Sequence, residues 1–405
     1  MSETYIPRSL ETMLEKAVRE FPAAVVVGPR QSGKTTLLKH LFEARYSIVS
    51  LEPSDIRLAA LNDPRGFLNL YSPPTIFDEI QYAPELLPYI KERIDAHRDR
   101  PGQYILTGSQ NLLLMQQVTE SLAGRAAMLK LLPLSRWEGN GQADRYLPWE
   151  KKSAGLKSQT QRELWEEILR GWYPELVSHP ERDFRLWYAS YIQTYLERDI
   201  RNLRNIGDLT QFQTFLRALA ARSAQLLNLS NLARDVGVSV NTAKDWISLL
   251  EAGFQIFLLR PYYANIGKRL VKAPKIYFTD TGLLCYLVGL RDVEHAMNGP
   301  MGGAIFENMV VADMLKIFLH RGEEPAMYYW RTSHGSEVDL VIESQSGLIP
   351  LEIKQTETPR PELAKGIVSF KADFGEKTAQ GYVVFPGEVV LPLAENVFTL
   401  PLARL

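Results

Sequence analysis

The stretch GPRQSGKTT, residues 28–36, sets Gly28, Gly33, Lys34 and Thr35 in the spacing G-x-x-x-x-G-K-[ST]. An apolar run, AAVVV, precedes it, and a helix-like TTLLKHLF follows. A loop of this kind wraps phosphates in backbone N–H groups at the positive end of a helix. Gly28, Pro29, Arg30, Gln31, Ser32, Gly33, Lys34, Thr35 and Thr36 would line it. Lys34 would reach the β- and γ-phosphates, and the Thr35 hydroxyl would bind Mg²⁺.

TIFDEIQ, residues 75–81, supplies a second half. Asp78 would hold Mg²⁺ through water, and Glu79 would orient or deprotonate the attacking water. The alternative is that both acids cap the next helix. In YILTGSQNLL, Ser109 or Gln110 would sense the γ-phosphate, or Ser109 would cap a helix. Arg125, in ESLAGRAAMLK, is either a surface arginine or one projected at a neighbouring subunit.

A second constellation lies in HGSEVDLVIESQSGLIPLEIKQ, residues 334–355. Two strands around a turn would carry Asp339 on the first, and Glu352 and Lys354 on one face of the second. A preceding helix, GAIFENMVVADMLKIFL, adds Glu307. Asp339 and Glu352 would offer hard oxygen ligands to Mg²⁺ or Mn²⁺, with Glu307 as a further ligand or water organiser. Lys354 would orient the water or stabilise a phosphate, and Glu337 would assist. The alternative is a charged cluster kept for binding alone. The same D/E-x-K pattern at 150–152 has no strand to support it.

These sites need elements to hold them. SIVSL, TIFDEI and QYILTGS follow the first strand at intervals filled by helical patterns, so a parallel α/β sheet is expected. A polar stretch, 139–161, reads as a linker or a long loop, and 162–222 reads as helical. LSNLARDVGVSVNTAKDWISLLEAGF reads as helix, turn around Gly237 and helix, with Val238 and Val240 packing the turn. RPYYANIGKRLVKAPK, with Arg260, Lys268, Arg269, Lys272 and Lys275, Tyr262 and Tyr263, and no acid, would be a wing. Its uses are nucleic-acid binding, internal packing or subunit contact. The expected division is 1–145, 146–222, 223–290 and 291–405.

GPRQSGKTTLL, IFDEIQ, ILTGSQNLL and SLAGR, in this order, resemble a prokaryotic AAA+ ATPase family with a C-terminal domain of uncharacterised function. YIPRSLETML, GWYPEL and YLERDI resemble it too, so the match covers nearly the whole chain. The resemblance implies ATP and Mg²⁺ as ligands, assembly into a homo-oligomeric ring or partial ring, and Arg125 as an arginine finger. Arg198 and Arg204 are candidates for a second sensor. Glu307, Asp339, Glu352 and Lys354 together look like a PD-(D/E)xK nuclease core. The expected whole is an α/β multidomain protein: a P-loop AAA+ sheet, a helical and winged-helix middle and a restriction-endonuclease-like tail. Two functions are open to it: an ATPase whose tail binds and can cleave nucleic acid, or an ATP-switched signalling scaffold whose silent tail binds protein partners.

Totals set the bounds. The 405 residues are 45% apolar and 23% charged with net charge −1, so any nucleic-acid contact must come from a local patch. Cys285 stands alone, which excludes an internal disulfide and a cysteine-based zinc cluster. The first residues lack a secretory pattern, and no apolar run approaches the roughly 18 residues of a membrane span. A cytoplasmic protein with no membrane partner is expected.

Overall fold

A computed structural model describes residues 5–109, 120–151, 155–156, 159–196, 209–263 and 272–405. Gln110, Arg198, Arg204, Lys268 and Arg269 lie outside the described residues.

Residues 23–28 are apolar without alternation, as a strand covered on both faces requires. They form β1 (Ala23–Gly28), beside β4 (Tyr104–Ser109) and β5 (Ala126–Lys130) in a five-stranded parallel sheet completed by β2 (Ser47–Ser50) and β3 (Thr75–Asp78). The order is β2-β3-β4-β1-β5. Ala23, Val25 and Val27 enter one core, and Ala24 and Val26 enter the other, on opposite faces. Helices α1 (Glu11–Glu20), α2 (Lys34–Phe42), α3 (Ser54–Asn62), α4 (Pro64–Leu70) and α5 (Leu86–Ala96) surround the sheet. Because β4 lies between β1 and β3, three adjacent strands deliver Gly28, Ser109 and Asp78 to one edge.

The polar stretch after α6 (Arg136–Gly139) forms no long element, yet Leu147 and Leu156 are buried. Thr160 and Glu163 close a capping box that starts α7 (Gln161–Arg170). Then come α8 (Pro174–Ser178), α9 (Phe184–Tyr191), α10 (Leu209–Ala220), α11 (Leu229–Val236) and α12 (Val240–Ala252). Left-handed Gly237 ends α11, and Ser239 caps α12. Val238 packs on the core, whereas Val240, at the helix start and past the edge of that core, is exposed rather than packing the turn. Strands β6 (Ile256–Leu259) and β7 (Lys275–Phe278) pair antiparallel, and Leu226 bridges to Lys275.

Helices α13 (Thr281–Leu287), α14 (Val293–Asn298) and α15 (Gly302–His320) lead into a six-stranded sheet. Strands β8 (Met327–Arg331), β9 (Glu337–Ser344) and β10 (Gly347–Ile353) are antiparallel. Helix α16 (Lys365–Phe374) crosses to β11 (Gly381–Phe385), parallel to β10, and β12 (Pro392–Ala394) and β13 (Val397–Pro401) follow. One continuous core runs from Trp137 to Leu405, joining the middle helices, α15 and the inner face of this sheet. Among the described residues no helix is long and apolar enough to cross a membrane.

Candidate functional site

The phosphate loop is shaped by close backbone approach. A Cβ on Gly28 would fall 2.0 Å from the Leu131 carbonyl oxygen, and Gly33 stands at φ +91°. Lys34 is buried and donates to the carbonyls of Gly28 (3.0 Å) and Pro29 (2.9 Å), so its ammonium lies within the loop. The Ser32 hydroxyl is buried with no hydrogen-bond partner, an orphan that a phosphate oxygen would satisfy. Thr35 donates to both oxygens of Asp78, at 2.9 and 3.1 Å. Thr107, on β4, also donates to Asp78, and accepts from the Glu79 N–H at 3.0 Å. Thr35 and Asp78 form the hard hydroxyl–carboxylate donor set that Mg²⁺ takes beside a phosphate.

Glu79 follows β3 in the left-handed region, φ 59°, which turns its carboxylate towards β4. The Ser109 hydroxyl donates to it at 2.9 Å, and Gln81 donates to it as well. Ser109 therefore holds Glu79. Burial raises the Glu79 carboxyl, but the Lys34 charge and the bonds from Gln81 and Ser109 outweigh it, leaving the group below the ordinary glutamate range.

A cavity of about 360 Å³ opens beside Gly33 and Thr36, with Tyr5, Ile6, Pro174 and His179 among its walls. Its size suits a nucleoside. Arg125 is elsewhere. The Ala23 N–H donates to its carbonyl at 3.1 Å, which puts it at the far edge of the sheet, roughly 17 Å along β1 from the loop. Asp95 of α5 accepts from its Nε (2.6 Å) and Nη2 (3.0 Å).

In the tail, Glu307, Asp339, Glu352 and Lys354 do come together, from α15, β9 and the end of β10. Lys354 lies 3.1 Å from Asp339 and 2.7 Å from Glu352. A second lysine enters from outside the tail sheet. Lys275, the first residue of β7 and 4% exposed, is 2.6 Å from Glu337, 3.1 Å from Glu307 and 3.7 Å from Asp339. Tyr277 donates to Glu307 at 2.7 Å, and the Ile353 N–H donates to Asp339 at 2.9 Å. Burial, then the neighbouring Asp339 charge, raises both Glu307 and Glu352 above the ordinary range. The acid oxygens are thus committed to ammonium groups, although one oxygen of Glu352 is buried without a hydrogen bond. Among the described residues no three or more such side chains are arranged to hold a metal ion. As it stands, the cluster does not fit Mg²⁺ or Mn²⁺.

Comparison with known proteins follows this geometry. An AAA domain matches residues 20–139, and two domains of unknown function match 161–294 (DUF8612) and 302–405 (DUF4143). Uncharacterized proteins of Mycobacterium tuberculosis (Rv2008c) and Mycobacterium bovis (Mb2031c) are each 31% identical over 395 residues, spanning 97% of this chain and 83% of theirs. The chain belongs to their family. A Walker-type ATPase of Pyrococcus abyssi is 17% identical with TM-score 0.45, over 71% of this chain and 97% of that one.

Residues 20–139 are accordingly an AAA-type ATPase domain within this family architecture. Two expectations for the middle of the family member need correction. Lys275 is no wing residue, because β7 buries it among the tail acids. Tyr262 is unavailable for stacking on bases, because it packs against Tyr328, Phe370 and Phe374. Sequence reading also missed Gln81, Tyr277 and the buried Arg8, Glu138 and His320. The signal for Lys275 was its place at the head of an apolar run, KIYF.

Proposed function

We propose that this chain is a cytoplasmic, Mg²⁺-dependent ATP hydrolase of the AAA type whose nucleotide state is passed to its own middle and tail domains. The observation that carries the reading is the convergence of Lys34, the Thr35–Asp78 pair and the Ser109-held Glu79 on one sheet edge. The loop N–H groups bind the phosphates, and Lys34 adds a positive charge at their centre. Thr35 and Asp78 would hold Mg²⁺, which draws charge from the β- and γ-phosphates. Glu79, kept ionised by Lys34, orients the attacking water and takes its proton. The cavity bounded by Tyr5 and His179 takes the nucleoside.

Arg125 is too far along the sheet to serve its own nucleotide, so in this reading it serves a neighbour's. That requires a homo-oligomer, a ring or partial ring. The decisive experiment is ATP turnover and ATP retention by Glu79→Gln. Retained ATP without turnover supports the reading, and turnover at the wild-type rate sinks the assignment of Glu79.

A second reading, nucleic-acid engagement, is favoured by specific features. The order α10, Leu226 bridge, α11, α12, β6, β7 suits a winged-helix module, with Asn241, Lys244 and Lys272 exposed. The order α15, β8, β9, β10, α16, β11 with its acid–lysine set suits a nuclease-like fold. Because Lys275 adds an ammonium against Glu307, Glu337 and Asp339 that the acid–lysine set does not itself contain, we assign the tail a binding role and no cleavage. DNA and RNA binding with and without ATP, compared with Lys244→Glu plus Lys272→Glu, tests it. Binding unchanged in that variant would dismiss this surface.

A further inference from the structure

The segment 131–136, which follows β5, is the backing of the phosphate loop, since Leu131 faces Gly28. Its main chain is gripped from two sides. Arg8 donates to the Ser32 carbonyl within the loop (2.8 Å) and to the Leu132 carbonyl (2.7 Å). Its Nε lies 3.1 Å from Glu138. From the other side, α15 presents Asp313, Lys316 and His320 along one stripe. The Arg136 N–H donates to Asp313 (2.8 Å), Lys316 donates to the Leu134 carbonyl (3.1 Å), and the Leu132 N–H donates to His320 Nε2 (3.0 Å).

That last bond fixes the state of the imidazole. An amide N–H only donates, so Nε2 carries the lone pair and Nδ1 carries the proton, which it donates to Glu138 at 3.0 Å. Ser32, Arg8, Glu138 and His320 therefore form one unbroken chain, each member buried. Helix α15 carries this chain at its last residue and Glu307 thirteen residues earlier, roughly 20 Å away at the helical rise.

We propose that Arg8 is a positioning residue for the phosphate loop, and that His320 and Glu138 let helix α15 of the tail set where Arg8 holds it. The proposal rests on the ATPase reading above. A nucleotide that moves the Ser32 peptide must move Arg8 or part from it. The same contacts then make the tail helix sense the loop, because coupling between two sites is reciprocal. A single ammonium cannot replace the guanidinium fork that spans two carbonyls and a carboxylate.

The test is steady-state ATPase kinetics and fluorescent-ATP affinity on the full chain, well below each variant's melting temperature. Arg8→Lys and His320→Phe should each raise the ATP KM about tenfold with kcat within about twofold, because Lys34, Asp78 and Glu79 are untouched. His320→Asn, which keeps a donor for Glu138, should recover part of the loss. The Arg8→Lys/His320→Phe double variant should be no worse than either alone, since both break one chain. Additive losses, or an unchanged KM, would overturn the proposal.

Should the variants not fold, hydrogen exchange on the wild-type chain decides. Saturating nucleotide should change protection in 302–320, and identical exchange with and without nucleotide would overturn the coupling in a chain that hydrolyses ATP. A wild-type chain that neither binds nor hydrolyses ATP would overturn the ATPase reading and this proposal together.

Discussion

The Lys275 ammonium lies 2.6 Å from a carboxylate oxygen of Glu337. One partner heads a strand of the middle domain and the other heads a strand of the tail sheet. With Glu307 and Asp339 on the same ammonium, this lysine neutralises acids that would otherwise repel one another in a buried site.

Lys275→Met should lower stability by about 3–5 kcal/mol at neutral pH, the cost of leaving buried partners uncompensated. Mn²⁺ should restore part of that loss in the variant and leave the nucleotide-free wild type unchanged. Urea unfolding with and without Mn²⁺ reads both. A wild type stabilised by Mn²⁺ through Asp339 would return the tail to the metal-site reading.

At the phosphate loop, Lys34→Ala should abolish nucleotide binding, seen as loss of fluorescent-ATP signal. Glu79→Gln should bind ATP and turn it over about 10²–10⁴-fold more slowly. Equal affinity in wild type and Lys34→Ala would remove Lys34 from the site.

Gly28→Ala adds a Cβ against a backbone carbonyl rather than a yielding side chain. It should cost about 1–3 kcal/mol and displace the 131–136 segment, weakening ATP binding. Calorimetric melting and ATP titration check the two effects.

Arg125→Ala should reduce turnover about 10³–10⁵-fold if the arginine completes a neighbour's site. Mixed with Lys34→Ala, it should regain part of the activity, because a mixed interface pairs an intact loop with an intact arginine. Asp95→Ala should barely change stability, since its pair with Arg125 lies at the surface, where solvent screens it. Mixed assemblies with no recovered turnover would count against Arg125.

His320 is buried beside Glu138, Arg8 and Lys316, and burial holds its pKa below the usual histidine value. The unfolded chain then binds more protons than the folded one below about pH 6.5, so stability falls as pH drops through that point. His320→Phe should flatten this limb by up to about 1.4 kcal/mol per pH unit. Denaturant titrations from pH 7.5 to 5 would show it, and parallel slopes would refute it.

Much of the nucleotide site was legible because its residues are neighbours in sequence. Gly28 to Thr36 act through their own backbone, and Asp78 and Glu79 sit at the end of an apolar strand. The strand–helix alternation gave the parallel sheet for the same local reason. The tail set was legible as Glu307, Asp339, Glu352 and Lys354, but its fifth member, Lys275, was not. Two domains meet there, and no periodicity in RLVKAPK reports a contact with residues 307 and 337. Arg8, Glu138 and His320 were hidden likewise: apart from the Arg8–Ser32 bond and the turn around Ser135, their side-chain bonds span more than a hundred positions. The tyrosines of the wing misled because composition does not say which ring is packed.

Trp137 donates its indole N–H to the Leu405 carbonyl at 2.8 Å, and the core that starts beside it runs unbroken to that residue. The joints near 161 and 302 therefore look like places to splice, yet each would tear a hydrophobic interior. A chimaera that exchanged tails between relatives would need to exchange the middle helices with them. Even the AAA domain is not cleanly detachable, because its Trp137 lies in the same interior as Leu405.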